Sequence, residues 1–223
     1  MTQPKERPIL FSAPMVRAIL EGRKTVTRRV LKVQPHIDAS GNLCVGQYNY
    51  GQDLDRTPMT KHFVKSHYPY GQPGDRLWVR ETWLPDPDAD HAAWYGHTET
   101  YYSWAGCGSK IKDVPPALQN PGQCLYREGW GGGGMMWRPS IHMPRWASRI
   151  FLEITDVRVE RLQAISRADI RAEGLECPSE LASDDVSPNY RDWYPAACRG
   201  LWEATGGDWV SNPWVWVIEF RKL

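Results

Sequence analysis

The chain has 223 residues, long enough to bury roughly 70% of its unfolded surface and to fold without disulfide staples. With 27 Lys and Arg against 26 Asp and Glu, the formal net charge is +1. That excludes a uniformly basic nucleic-acid coat or a polyanionic tail, and confines any nucleic-acid site to a local patch. Hydrophobic residues at 41% and charged residues at 24% are ordinary for a globular domain, and 18 Pro with 19 Gly stay below the roughly 25–30% that marks low complexity.

Taken in chain order, residues 8–31 form the clearest block. Pro8 to Phe11 reads as a short strand. Ser12 can cap the helix that follows, with Pro14 in its first turn. Met15, Ile19 and Leu20 recur at helical spacing, and Gly22 stops the helix at the position where glycine favours chain reversal. Residues 25–31 (TVTRRVL) alternate and are β-branched, which predicts a strand. Residues 32–73 are polar and carry little period. Gly74-Asp75 is a turn signal, and residues 76–83 (RLWVRETW) read as one strand. Residues 84–146 are rich in loop formers and are expected to form an insertion with short hairpins.

Residues 149–160 (RIFLEITDVRVE) alternate apolar and polar side chains, predicting a strand bent near Asp156 and running into Leu162. Ser166 to Asp169 opens a short helix in the manner of a capping box, although Asp stands where Glu or Gln is usual. That helix ends at Gly174. A polar stretch leads to a helix over about 195–204, and the chain closes on a strand over Val215–Phe220.

No apolar stretch approaches the ~20 residues that cross a bilayer, and residues 1–10 lack the apolar core of a signal peptide. Five cysteines without a CxxC pair fit reduced thiols in a cytoplasm. No His/Cys cluster has metal-ligand spacing, and the Gly131–Gly134 run lacks the Lys-Ser/Thr of a phosphate loop.

The sharpest chemical feature is Gly22-Arg23-Lys24-Thr25-Val26-Thr27-Arg28-Arg29, with four cations at a helix-to-strand junction. A strand places Thr25, Thr27 and Arg29 on one face and Val26 and Arg28 on the other. Arg23, Arg28 and Arg29 crowd Lys24, and like charges disfavour its protonated form. A less basic Lys beside a Thr hydroxyl could activate that hydroxyl or a water; the same cations could equally hold an anion or form a solvated basic edge. Glu173, in the last turn of its helix, opposes the macrodipole. If buried, it suits proton transfer.

The order helix–GRKTVTRR–loop–PGDRLWVRE–strand–helix ending Ala172-Glu173-Gly174–NPWVWVIEF resembles the ASCH family of the PUA-like superfamily. The similarity is nearest to ASCH-type proteins of bacteriophages and prophages. It implies an α+β fold: a small mixed, mostly antiparallel β-barrel with flanking short helices. It further implies a single domain, with insertions at about 32–70, 84–146 and 176–198 that wall the pocket. The N4-acetylcytidine amidohydrolases of this family use a Lys and a Thr of the GRKTxT string and a later helical Glu. On this chain those positions are Lys24, Thr27 and Glu173.

The resemblance therefore implies a metal-independent hydrolase without cofactor, acting on an acylated exocyclic amine of a modified nucleoside. Arg23, Arg28, Arg29, Trp78 and Arg80 are the expected substrate-binding residues. The partner would be a modified nucleoside or RNA, with no membrane, in a cytoplasm (that of the host, for a phage-encoded protein). The competing expectations are a non-catalytic RNA-binding module, with cations on phosphate and aromatics on bases, and an ASCH-type ribonuclease.

Overall fold

The computed structural model describes residues 3–53, 55, 60–86, 114, 116–130, 137–176 and 188–223. It is mixed α+β, with mostly antiparallel sheets. The strands are β1 (Glu6–Leu10), β2 (Val26–Val30), β3 (His36–Ile37), β4 (Leu43–Val45), β5 (Tyr48–Gly51), β6 (Arg76–Arg80), β7 (Trp83–Pro85), β8 (Cys124–Tyr126), β9 (Phe151–Arg161) and β10 (Trp214–Lys222). The helices are α1 (Ala13–Leu20), α2 (Thr60–His67), α3 (Arg167–Ala172) and α4 (Pro188–Ala204).

The chain falls into two compact units, the first of residues 1–5, 18–75 and 153–222, the second of 6–17, 76–152 and 223. A five-stranded sheet has the order β1-β6-β9-β10-β2. The β1–β6 pair is parallel, whereas β10 and β2 are antiparallel. Strands β1 and β2 are the two ends of that order, and the described residues form no closed barrel.

In the first unit, Val26, Val215, Val217 and Leu162 form a buried cluster under Ala172, Trp202 and Trp209. A second cluster joins Ile170 of α3 to Tyr194 and Cys198 of α4. These contacts seat α3 on β2 and α4. In the second unit, Trp83 packs with Cys124, Met143 and Ala147.

Several expectations are met. Strands β1, β2, β9 and β10 lie within one or two residues of their predicted spans. Ser166 Oγ accepts the Asp169 amide at 3.1 Å, capping α3. Gly22, at φ +77°, follows α1. There the Arg23 amide returns to the Ala18 carbonyl at 2.8 Å, a reversal that an L side chain would strain.

Four expectations are corrected. Residues 76–83 are two strands, β6 and β7, separated at Glu81, whose amide donates to Met143 Sδ at 3.2 Å rather than to a neighbouring strand and whose buried carboxylate takes a bidentate pair from Arg149 at 2.8 and 2.9 Å. Beyond it, Trp83 exchanges hydrogen bonds with Arg138 instead. Residues 32–73 carry a three-stranded sheet, β3-β4-β5, and α2. Strands of two to four residues are too short to display a period. Strand β9 spans Asp156 and runs directly into Leu162, as expected. Helix α4 starts at Pro188, with Pro195 inside it. Proline does mark the first helical position, but the proline that does so is Pro188. Strands β7 and β8 pair antiparallel, but Trp83–Pro85 and Cys124–Tyr126 are far apart in the chain, so this pair is not one of the short hairpins expected in 84–146. The Gly131–Gly134 run and most of the Tyr/Trp-rich stretch lie outside the described residues.

Candidate functional site

The site lies within the first unit, where Ala18 meets the start of β2 and the end of α3. After the reversal at Gly22, the Lys24 amide also reaches the Ala18 carbonyl, at 3.0 Å, and the Thr25 amide takes the Ala172 carbonyl at 2.8 Å. Lys24 and Glu173 thereby form an isolated antiparallel bridge. Glu173 is the C-cap of α3, in helical conformation at φ −69° and ψ −6°. Gly174, at φ +89°, turns the chain away with no room for a side chain. A Cβ there would stand 2.7 Å from the Ala18 Cβ and 3.0 Å from the Lys24 Cβ.

The backbone bridge brings two charged side chains together. The Lys24 side chain is fully buried, and that of Glu173 is 10% exposed. Lys24 Nζ donates to Glu173 Oε2 at 2.6 Å, to the Glu173 carbonyl at 2.9 Å and to the Val26 carbonyl at 2.8 Å. Three acceptors match the three protons of an ammonium. Burial pulls the Lys24 pKa below its ordinary value. Glu173 opposes this through its charge and its hydrogen bond, while Arg29 and Arg28 lower it further by smaller amounts. The direction is the one expected from the sequence, but the leading cause is desolvation rather than crowding by like charges.

Arg28 is buried on the same network. Its Nη1 donates to Glu173 Oε1 at 3.2 Å, and its Nη2 to Asp169 Oδ2 at 2.8 Å and to Glu160 Oε2 at 3.4 Å. Its Nε is buried with no hydrogen bond among the described residues. Arg158 of β9 closes the outer side: it donates to Asp169 Oδ2 at 3.0 Å and pairs with Glu160 and Glu219. Three cations and four carboxylates therefore interleave around Glu173, with one formal negative charge in excess.

The remaining candidate residues are distributed as follows. Thr27 is buried and faces Ile218 across the β2–β10 pair, while Arg29 faces Trp216. Strand alternation sets these two opposite Val26 and Arg28, and the Val26–Val215–Val217 cluster occupies the Arg28 side. Burial lowers the Arg29 pKa, opposed by the charges of Tyr70 and Glu173. Arg23 donates to the Gly174 carbonyl at 2.6 Å and pairs with Glu21 and Glu176. Trp78 and Arg80 belong to the second unit, where the Arg80 guanidinium lies 4.7 Å over the Trp78 ring.

Sequence reasoning missed Asp169, Glu160, Arg158 and Glu219 as members of the network. One signal was present. Asp169 and Glu173 are four residues apart on a short helix, a like-charge spacing that is unfavourable without a cation between them. Arg28 is that cation. Among the described residues, no group of three or more His, Cys, Asp and Glu is placed to hold a metal ion, and no helix is long and apolar enough to cross a membrane.

Chemically, the arrangement holds a proton donor and a carboxylate 2.6 Å apart in a place that penalises charge. A proton can pass directly along that hydrogen bond. Comparison of the chain with family models, with curated proteins and with solved structures gives no match.

Proposed function

We propose that the chain is an ASCH-type hydrolase of the PUA-like superfamily, acting in a cytoplasm. It removes an acyl group from the exocyclic amine of a modified pyrimidine nucleoside, with Lys24, Thr27 and Glu173 as catalytic residues. The observation that carries this reading is the buried Lys24–Glu173 pair at 2.6 Å. A phosphate-binding edge would present its cations to solvent. Here Lys24 and Arg28 are buried and bonded to carboxylates and carbonyls, and Arg23 spends one donor on the Gly174 carbonyl. That favours proton transfer over a phosphate clamp.

In the proposed reaction, an oxygen nucleophile attacks the acyl carbon and gives its proton to Glu173. The tetrahedral intermediate collapses with cleavage of the carbon–nitrogen bond. The leaving amine takes a proton from the Lys24 ammonium, and Glu173 returns its own proton to Lys24. Products are the carboxylic acid and the free nucleoside. The lowered pKa of Lys24 makes it a better acid at neutral pH than an exposed lysine. The nucleophile is either the Thr27 hydroxyl, through an acyl-enzyme that water then cleaves, or water itself. Thr27→Val separates the two, since only the first route is abolished by it.

The test is incubation with N4-acetylcytidine and a short RNA, read by mass-resolved chromatography. Loss of the acetyl group, reduced by about 100-fold or more in Glu173→Gln as expected for a general acid–base residue, supports the reading. Turnover in a folded Glu173→Gln within threefold of the parent overturns it, as does an intact nucleoside beside shortened RNA.

A further inference from the structure

The first unit holds a cavity of about 490 Å³ that the Lys24–Glu173 pair does not line. It is built by residues 30–33, 45–48, 63, 67, 69 and 70 together with Trp216. Its floor is a preformed aromatic stack. Phe63 lies parallel to Trp216, with centroids 5.3 Å apart and planes within 5°, and parallel to His67 at 4.9 Å and 14°. Tyr68 meets Trp216 edge-on at 5.2 Å. Phe63 and Trp216 are buried, whereas Tyr48 at the rim is 71% exposed.

Three observations define what such a cavity accepts. Its volume is that of a nucleoside-sized ligand site, mostly apolar with a few polar groups. Its aromatic planes are fixed by stacking on a sheet strand, so little ordering is needed when a flat ring enters. The third observation is charge. Aromatic walls can receive either a flat ring or a cation, and cation sites of this kind gain from nearby carboxylates. The described lining contains no Asp or Glu, and it does contain Lys32. Arg29, the cross-strand partner of Trp216, adds a second positive charge beside the floor. A cationic ligand is therefore disfavoured, and an uncharged or anionic one is not.

We infer that this cavity is a binding site for an uncharged or anionic planar heteroaromatic ring of nucleobase size, held against the His67–Phe63–Trp216 stack by Tyr48 and Tyr70. The Gln47 amide and the His67 imidazole supply donors and acceptors for the ring edge, and Lys32 faces any anionic substituent. Aromatic platforms of this sort hold bases with little sequence preference. The site stands whether or not Lys24 and Glu173 are catalytic.

The experiment is calorimetric titration of the full chain with adenosine, cytidine, adenosine 5′-monophosphate and the cationic ring 1-methylnicotinamide. The variants are Tyr48→Ser, at an exposed position, and Lys32→Glu. At least one of the first three binds, and 1-methylnicotinamide binds at least tenfold more weakly. Tyr48→Ser weakens the bound ring about tenfold. Lys32→Glu weakens the monophosphate more than the nucleoside. Absence of binding by all three uncharged or anionic rings overturns the inference. So does a preference for the cation, or binding that Tyr48→Ser leaves unchanged while circular dichroism shows both proteins folded. None of these readouts depends on turnover, so a failed hydrolase assay and a failed ring site are told apart.

Discussion

Lys24 holds Glu173 at two points, donating to its carboxylate at 2.6 Å and to its main-chain carbonyl at 2.9 Å. One buried ammonium thus fixes both the side chain and the backbone of a helix C-cap. Breaking such a pair by removing one partner costs more than the pair contributes, because a buried charge is left behind.

The two partners are not equivalent in this respect. Glu173→Gln takes a carboxylate from Arg28 and from the buried Lys24 ammonium, which keeps the main-chain carbonyls of residues 26 and 173 but loses its counter-charge. Lys24→Met leaves Glu173 still paired with Arg28 at 3.2 Å. Glu173→Gln is expected to destabilise by about 3 kcal/mol, and Lys24→Met by less. Urea unfolding of both variants and the double variant measures the ranking and the coupling. A larger loss for Lys24→Met would show that Arg28 does not sustain Glu173.

The bridge also depends on Gly174. Its φ of +89° penalises any side chain, and an added Cβ would press on Ala18 and Lys24. Gly206 is the internal control, at φ +80° with nothing within 4 Å of the place a Cβ would take. Gly206→Ala is expected to cost on the order of 1 kcal/mol from backbone strain alone. Gly174→Ala should cost clearly more, and should also lower turnover by displacing Lys24. Equal melting temperatures for the two variants would contradict the close approach.

How much of this was legible in the sequence follows from where each signal resides. The Lys24–Glu173 relationship was readable in part. Gly22 ended α1 and Gly174 ended α3, and both stops placed a charged residue at a junction. Nothing in either segment says that the Thr25 amide pairs with the Ala172 carbonyl across 147 positions, the contact that sets the two side chains together. Long strands showed themselves through alternation, as in β9 and β10. Leu43-Cys44-Val45 could not, being three residues all buried. The aromatic cavity was invisible for the same reason. Phe63 and His67 stand four apart on α2, and only the fold brings Trp216 of β10 onto them.

Lys24 makes stability depend on pH with a definite sign. Its folded-state pKa lies below the ordinary 10.5. Between the folded and unfolded values the unfolded chain holds a proton that the folded chain has released, so stability rises with pH there. Below the folded value the penalty for burying the charge is present in full. The difference in unfolding free energy between the parent and Lys24→Met should therefore grow in favour of the parent up to about pH 10.5, a window set by the reference lysine pKa. A flat difference over that range would mean that Glu173 fully offsets the burial of the ammonium.

Cys198 carries the opposite sign. It is buried between α3 and α4 with Ile170 and Tyr194. Burial pushes its thiol up from 9.0 to about 11, aided by the negative charge of Glu173 and opposed by Arg28 and Lys24. A group whose folded pKa is raised stabilises fully below its unfolded value and loses that contribution as pH climbs toward the folded one. Stability should thus fall between pH 9 and 11, and Cys198→Ala should flatten the fall. The same shift leaves almost no thiolate at pH 8, and the thiolate is the reactive form. Brief iodoacetamide treatment at pH 8, followed by peptide mass analysis, should find Cys198 unmodified in the folded chain and modified in urea. Labelling of the folded chain at the rate seen in urea would place the thiol in solvent, and the packing of α4 on α3 would have to be redrawn.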